Sequence, residues 1–366
     1  MSCSRESKSL PWEEKYRPHS LDQIIGQGNT IQVIKSLINS GNTPHLLFHG
    51  PPGTGKTSTI HAIARELYGV ENKAQMVMEI NSGDARGLET IQSQLKTFAS
   101  TRPIFKTRCS ELTAKTKSQF KLVILDEADT MDYAAQMALR RIMEDYACNV
   151  RFCIIVNHME RLSRAIVSRC INLRFRPLPP SAIKRQLLSV VKEEGIAVEP
   201  EAVEGLVQLS KGDMCQALSM LQKCGLGGDD RLLCDSKPLT SACNITHTIS
   251  VNDVYDLASA PRPSDINRIM RRLLSPGEFS KKFTYLKSFA SENSIDLADI
   301  VSALAEALRK LNVGANVKVV WLEGLAEIEW FLRGGASEQI QMGGVISVIE
   351  RGRLLIDCGD FNFCSS

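Results

Sequence analysis

No run of apolar residues in this chain approaches the ~18 that a helical membrane span needs. The opening segment, Met1 to Leu10, is polar and lacks the apolar core of a secretory signal. Together these absences lead us to expect a cytosolic or nuclear protein with no membrane partner. Eleven cysteines are present, yet none forms a C-x-x-C pair. An odd, scattered set argues for reduced thiols rather than a disulfide framework. Cys215, Cys224, Cys234 and Cys243 are spaced too widely for a usual structural zinc site. Charge of one sign is also scarce, with a net value of only +3. A monomer so balanced has no strong, uniform attraction to nucleic acid. Any DNA binding has to come from a local basic face or from several subunits together.

What is present fits a globular chain. Hydrophobic residues make up 43% and charged residues 23% of 366 positions, a length that suggests two or three domains. Residues 46–57 read LLFHGPPGTGKT. An apolar run, Leu46 to Phe48, leads into a loop of Gly50, Pro51, Pro52, Gly53, Thr54 and Gly55 that closes on Lys56, Thr57 and Ser58. This is the P-loop spacing, and it fixes a ligand class, a nucleoside triphosphate with Mg²⁺. Its glycines let backbone N–H groups turn inward around phosphate oxygens, and the helix that follows aims its positive end at the same anion. Lys56 reaches the outer phosphates and the Thr57 hydroxyl can ligate Mg²⁺. A bare Gly/Pro turn would share the spacing, but here a strand-like run precedes the loop and a helix-compatible run, Thr57 to Leu67, follows it.

Residues 121–129 read KLVILDEAD. Leu122 to Leu125 fit a buried strand, and two carboxylates follow it. In open α/β sheets, ligands sit beyond the carboxyl ends of the strands. Asp126 is placed to hold Mg²⁺, and Glu127 to polarise a water for in-line attack on the γ-phosphate. Alone, the pair could equally be an acidic helix cap. Further strands are expected at Val77 to Asn81, Arg151 to Asn157 and Cys170 to Phe175. With helix-like stretches between them, they make an α/β domain whose five-stranded sheet is mostly parallel and covered on both faces.

Domain boundaries follow from punctuation. Residues 1–10 form a tail and 11–176 the sheet domain. Pro177, Pro179 and Pro180 mark a break. Residues 177–260 hold short amphipathic helices at Ser181 to Glu194, Glu201 to Leu209 and Asp213 to Lys223, a loop-like insert near 226–246, and one more helix at Val251 to Ser259. After Pro261 and Pro263, residues 261–356 are helical throughout and read as a bundle, followed by a tail at 357–366. A second insert-like segment, Lys106 to Lys121, carries five basic residues and one acid. It reads as a solvated loop or, more sharply, as one that faces DNA.

At this point the residues closely resemble the small subunits of replication factor C, the AAA+ clamp loaders. The P-loop, DEAD at Asp126 to Asp129 and SRC at Ser168 to Cys170 carry the resemblance. So do PWEEKYRP at Pro11 to Pro18, FASTR at Phe98 to Arg102, ALRRIME at Ala138 to Glu144 and LAEIEWFLRGGASEQIQ at Leu325 to Gln341. Within the family, the pairing of FASTR with DEAD is similar to one particular small subunit. The resemblance implies an AAA+ P-loop domain, a helical lid and an all-α collar, with five related subunits joined in an arc through their collars. ATP binding would let the arc open a ring-shaped sliding clamp, proliferating cell nuclear antigen, and grip primer–template DNA in the nucleus. Hydrolysis would then release the clamp on DNA.

The resemblance also implies residue roles. Asn157 would be the first sensor, with its amide orienting water near the γ-phosphate. Arg169 would be an arginine finger that completes a neighbour's site, although its residue type alone suggests a surface ion pair. Tyr16 and Arg17 would lie near the adenine, and Arg86 would meet the DNA backbone at a helix N-terminus. Arg140 and Arg141 would serve the contact between subunits. In the lid run KGDMCQALSMLQ, Lys211 to Gln222, the family's arginine is replaced by Cys215, which offers no fixed charge. Glu13 stands where an apolar residue is usual. Three alternatives follow: a structural subunit with little turnover of its own, a subunit shared with a checkpoint clamp loader, and, remotely, a DEAD-box helicase.

Overall fold

Runs that are apolar at nearly every position, rather than at every second one, need cover on both faces of a sheet. The computed structural model, which describes residues 10–40, 43–82, 88–100, 120–230, 248–293 and 295–357, arranges them that way. The described chain separates into two compact units, one ending at His247 and the other starting at Thr248.

In chain order, the first unit contains α1 (Trp12–Lys15), α2 (Gly28–Asn39), β1 (His45–His49), α3 (Lys56–Met76), β2 (Val77–Asn81), α4 (Leu88–Ser100) and β3 (Lys121–Asp126). These are followed by α5 (Tyr133–Asp145), β4 (Val150–Val156), α6 (Arg164–Val167), β5 (Cys170–Arg174), α7 (Pro180–Glu194), α8 (Pro200–Leu209) and α9 (Met214–Asp230). The five strands form one sheet in the order β2-β3-β4-β1-β5, and every pairing is parallel. Alternate side chains feed two separate cores, as the two-residue period of a strand requires. Leu46, Phe48, Leu122 and Ile124 join Ile34 of α2 and Ile60 and Ile63 of α3 on one face. Leu47, Val123, Leu125 and Ile154 join Leu139, Ile142 and Met143 of α5 on the other.

Register then brings the chemistry together. His49 aligns with Val156 and Leu125 with Ile154, so β1, β3 and β4 end at one edge of the sheet. The chain leaves β1 toward one side of the sheet and returns to β5 on the other. The loop after β1 therefore opens at the switch point, where such sheets hold ligands.

Each expected strand forms, within a residue at either end. The helix after the P-loop runs past Leu67, and its regular geometry breaks at Gly69, which has φ 72° and ψ 175°. The break expected at Pro177, Pro179 and Pro180 leads directly into the next helix. Pro180 starts α7 and Pro200 starts α8, positions where a missing N–H costs nothing. α9 continues to Asp230, beyond the expected stop at Lys223. Gly225 lies against Ile196 and the Trp12 ring, so packing carries the helix through a residue that would otherwise punctuate it.

The second unit is all helical, with α10 (Val251–Leu257), α11 (Pro263–Leu274), α12 (Phe279–Asn293), α13 (Leu297–Lys310), α14 (Ala315–Arg333) and α15 (Glu338–Asp357). α10, expected in company with α7 to α9, falls in this unit. Its core gathers Leu273, Leu286, Ile300, Leu304, Trp321, Leu325 and Val345. Trp321 is 1% exposed, and its indole N–H donates to the Ile349 carbonyl at 3.2 Å. Lys282, also buried, donates to the Leu273 carbonyl at 2.8 Å and pairs with Glu350 at 2.9 Å. Among the described residues, no helix is long and apolar enough to cross a membrane.

Candidate nucleotide site

The P-loop turn is built by backbone conformations that side chains resist. Gly53 has φ +64°, and a Cβ there would lie 1.6 Å from Asp213 Oδ1, so α9 can approach only a glycine. The Met214 N–H donates to the Gly53 carbonyl at 3.2 Å. The chain then enters α3 through Gly55, at φ 91°.

Lys56 is 7% exposed, and its amine donates to the Gly50 and Pro51 carbonyls, both at 2.7 Å, and to Asn157 Oδ1 at 2.9 Å. Three acceptors match the three protons of an ammonium. Burial pushes its pKa down, while Asp126, Asp129 and Asp213 act in the other direction. Thr57 Oγ1 donates to Asp126 Oδ2 at 2.9 Å, and the other Asp126 oxygen accepts from the Glu127 N–H at 2.9 Å. Lys56, Thr57, Asp126 and Asn157, which span 102 positions of sequence, are thus joined in one polar cluster at the strand ends.

Glu127 sits at φ 52°, one of three non-glycine residues with positive φ among those described. A left-handed backbone disfavours a side-chain-bearing residue by roughly 1–2 kcal/mol. Strain of this kind gathers at sites where geometry serves function.

Beside the P-loop is a cleft of about 230 Å³, lined by Gly53 to Ser58 on one wall and by Glu13, Glu14, Tyr16 and Arg17 on another. Helices α7 and α9 add Ala182, Gln186, Met214, Cys215 and Leu218. Tyr16 donates its hydroxyl proton to Glu194 Oε1 at 2.6 Å, and burial together with that bond raises its pKa. Arg17 pairs with Glu14 at 3.1 Å. Burial first, then Asp213 and Glu13, push the Cys215 thiol up to about 11, so it is neutral at physiological pH. Glu13, where an apolar residue was expected, accepts a hydrogen bond from Ser219.

Two anticipated residues are not part of this cluster. Arg169 points to the chain's own surface, where it pairs with Glu144 and donates to the Ala165 carbonyl at 2.6 Å. Glu144 also holds Arg140 at 3.1 Å. Arg86 lies outside the described residues, as do 101–119 and 231–247, which cover most of both inserts.

Other residues at the site were not anticipated. Asp129, 9% exposed, accepts from the His158 N–H at 3.3 Å and so ties the turn after β3 to the turn bearing Asn157. Gln136 links the same regions by donating to the Met131 and Arg161 carbonyls and accepting from the Ser163 N–H. Asp129 belongs to the DEAD run, which was the only available hint. Glu194 lies 178 positions from Tyr16, with no local signal connecting them.

Comparison with known proteins agrees along nearly the whole chain. The family model for ATPases associated with various cellular activities matches residues 46–178, and that for the replication factor C C-terminal domain matches residues 261–348. Replication factor C subunit 3 of Blastobotrys adeninivorans is 42% identical over 96% of this chain and 95% of its own. Subunit 3 of Saccharomyces cerevisiae is 39% identical over 96% of each. Human replication factor C subunit 5 is 35% identical over 95% of this chain and 94% of its own. A nucleotide-binding ATPase domain, a family-specific C-terminal domain and relatives matched nearly end to end lead to one conclusion: the chain belongs to the replication factor C subunit family.

Proposed function

We propose that this chain is an ATP-hydrolysing subunit of a pentameric clamp loader, which opens the sliding clamp, proliferating cell nuclear antigen, and places it on primer–template DNA in the nucleus. The observation that carries the proposal is the convergence of Lys56, Thr57, Asp126 and Asn157 where three parallel strands end. In this reading residues 11–176 form the nucleotide domain, 177–260 the lid and 261–356 the collar that joins neighbours. Arg86 would contact the DNA backbone.

The P-loop from Gly50 to Ser58 would cradle the phosphates, with Lys56 turned to the outer ones and Tyr16 and Arg17 beside the adenine. Thr57 and Asp126 present two hard oxygens 2.9 Å apart, a donor set that suits Mg²⁺. Among the described residues no cluster of three or more His, Cys, Asp or Glu side chains is arranged to hold a metal. Phosphate and water would therefore complete the shell, as Mg²⁺ usually has it. When bound, the ion neutralises phosphate charge. Glu127 polarises the attacking water, which adds to the γ-phosphorus as the bond to the β-phosphate oxygen breaks. Asn157 orients that water from the end of β4. Arg169, donated to the adjacent subunit's site, offsets the charge that develops there.

A second reading keeps nucleotide binding but gives this subunit little turnover. It is favoured by Cys215, since the lid side of the cleft presents no cation. Glu127→Gln in the assembled complex separates the two. The motor reading expects clamp-stimulated ATPase and clamp loading to fall together, whereas unchanged rates would leave the structural reading.

A further inference from the structure

The lid residues that face the cleft, Leu178, Ala182, Gln186, Met214, Cys215 and Leu218, carry no charge. The end of α9 that rests on Gly53 is occupied by the Asp213 carboxylate, which accepts from the Gln216 N–H at 3.1 Å. At its phosphate end, then, this lid presents no cation among the described residues with which to distinguish a γ-phosphate from its absence.

The other end of the cleft is different. α1 and the two residues after it line the cleft with Glu13, Glu14, Tyr16 and Arg17, and this same segment is fastened to the lid four times. The Trp12 N–H donates to Gln222 Oε1 of α9 at 3.0 Å. Ser219 of α9 donates to Glu13. Lys15 Nζ and the Tyr16 hydroxyl both donate to a single oxygen, Glu194 Oε1, at 2.6 Å each. Glu194 is the last residue of α7, where the helix dipole disfavours a carboxylate. Its position there is supported by these two donors, one of them a cation.

We infer that Glu194 is the positioning residue through which the lid senses a bound nucleotide, and that it senses the base-and-ribose end rather than the outer phosphates. Glu194 fixes Tyr16 in the cleft wall, so a base packed against Tyr16 is coupled to α7. ATP and ADP share that end and hold the lid equally well. The inference rests on the nucleotide site proposed above.

The test uses the assembled complex with the P-loop lysines of the other subunits replaced, so that only this chain's site is read. Equilibrium binding of radiolabelled ATP and ADP is measured, with inorganic tripolyphosphate as a competitor that lacks base and ribose. Glu194→Gln and Tyr16→Phe are each expected to weaken ATP and ADP by the same factor, about tenfold, the scale of one charge-assisted bond. The double variant is expected to bind no more weakly than either single one, and competition by tripolyphosphate is expected to stay the same. Selective weakening of ATP alone, unchanged affinity for both nucleotides, or a matching loss of tripolyphosphate competition would each overturn the inference. Failure of the unaltered chain to bind either nucleotide would remove the site reading itself, and the inference with it.

Discussion

Replacing Arg169 by alanine separates a residue that holds its own fold together from one that acts on a neighbour. Within the chain, Arg169 makes two contacts. The first is the ion pair with Glu144, whose side chains are 33% and 40% exposed. Pairs this open to water contribute little, and Glu144 retains Arg140 at 3.1 Å once Arg169 is gone. The second is the bond to the Ala165 carbonyl, worth about 1 kcal/mol net. At roughly 2–4 °C per kcal/mol for a domain of this size, the melting temperature should fall by only a few degrees. A trans-acting arginine finger, by contrast, accelerates hydrolysis by about 10³–10⁵, equivalent to roughly 4–7 kcal/mol of barrier. The rate effect therefore exceeds the stability effect several-fold in free energy. The assay is single-turnover hydrolysis in the assembled complex, with only the neighbouring site left competent. Arg169→Ala should slow it by at least about 10³ while the complex remains assembled. Arg169→Lys, which keeps the charge but loses the planar fork, should recover only part of the rate. A wild-type rate for the alanine variant would refute the reasoning. So would a collapse in melting temperature large enough to account for the lost activity.

Two further outcomes test the fold of each unit. Gly352→Ala should destabilise the C-terminal unit by about 1–3 kcal/mol through overpacking, because the new methyl would lie 2.0 Å from Trp321 Nε1; denaturant titration followed by tryptophan emission reads it. His45 accepts the Phe152 N–H through Nδ1 at 3.1 Å, and burial, aided by Arg151, lowers its pKa from 6.5 to about 4. The unfolded chain therefore binds more protons between those values, so stability should decline as pH falls from about 6.5 to about 4, and His45→Asn, which retains an acceptor, should flatten that slope in thermal melts.

How much of this was legible in the sequence depends on how local each feature is. The P-loop and the acid pair were readable because their chemistry is packed into short runs whose backbone must turn in one way. The central strands β1, β3 and β4 were readable because a strand buried on both faces has to be apolar almost throughout, whereas the edge strands β2 and β5 are only partly buried and were read from short mixed runs between helix-like stretches. Gly225 shows where such reading ends. Its helix persists because Ile196 and Trp12 close on it, and no property of residues 220–230 alone specifies that. The Glu194 oxygen shared by Lys15 and Tyr16 depends on the fold bringing chain segments more than 170 positions apart into contact. Asp129 is an intermediate case. It was visible within DEAD, but its bond to the turn after β4 depends on strand register.

In the mechanism proposed above, the neutral Cys215 on the lid side of the cleft bears on turnover less than its place there suggests. The groups proposed to act on the γ-phosphate, Lys56, Glu127 and Asn157, belong to the P-loop and to the ends of β3 and β4, so they are held by the sheet and not by the lid. Cys215 is neutral at physiological pH, with its thiol near 11, and so neither adds a cation nor introduces an opposing thiolate. Among the described residues, what the lid side of the cleft lacks is a charge that could couple its position to the γ-phosphate. With α7 and α9 fastened to the segment bearing Tyr16, the inference above places the energy of closing the lid in the part of the nucleotide that hydrolysis leaves unchanged. Closure and chemistry are then separate variables in this subunit, and its ADP state should stay closed until another subunit moves it.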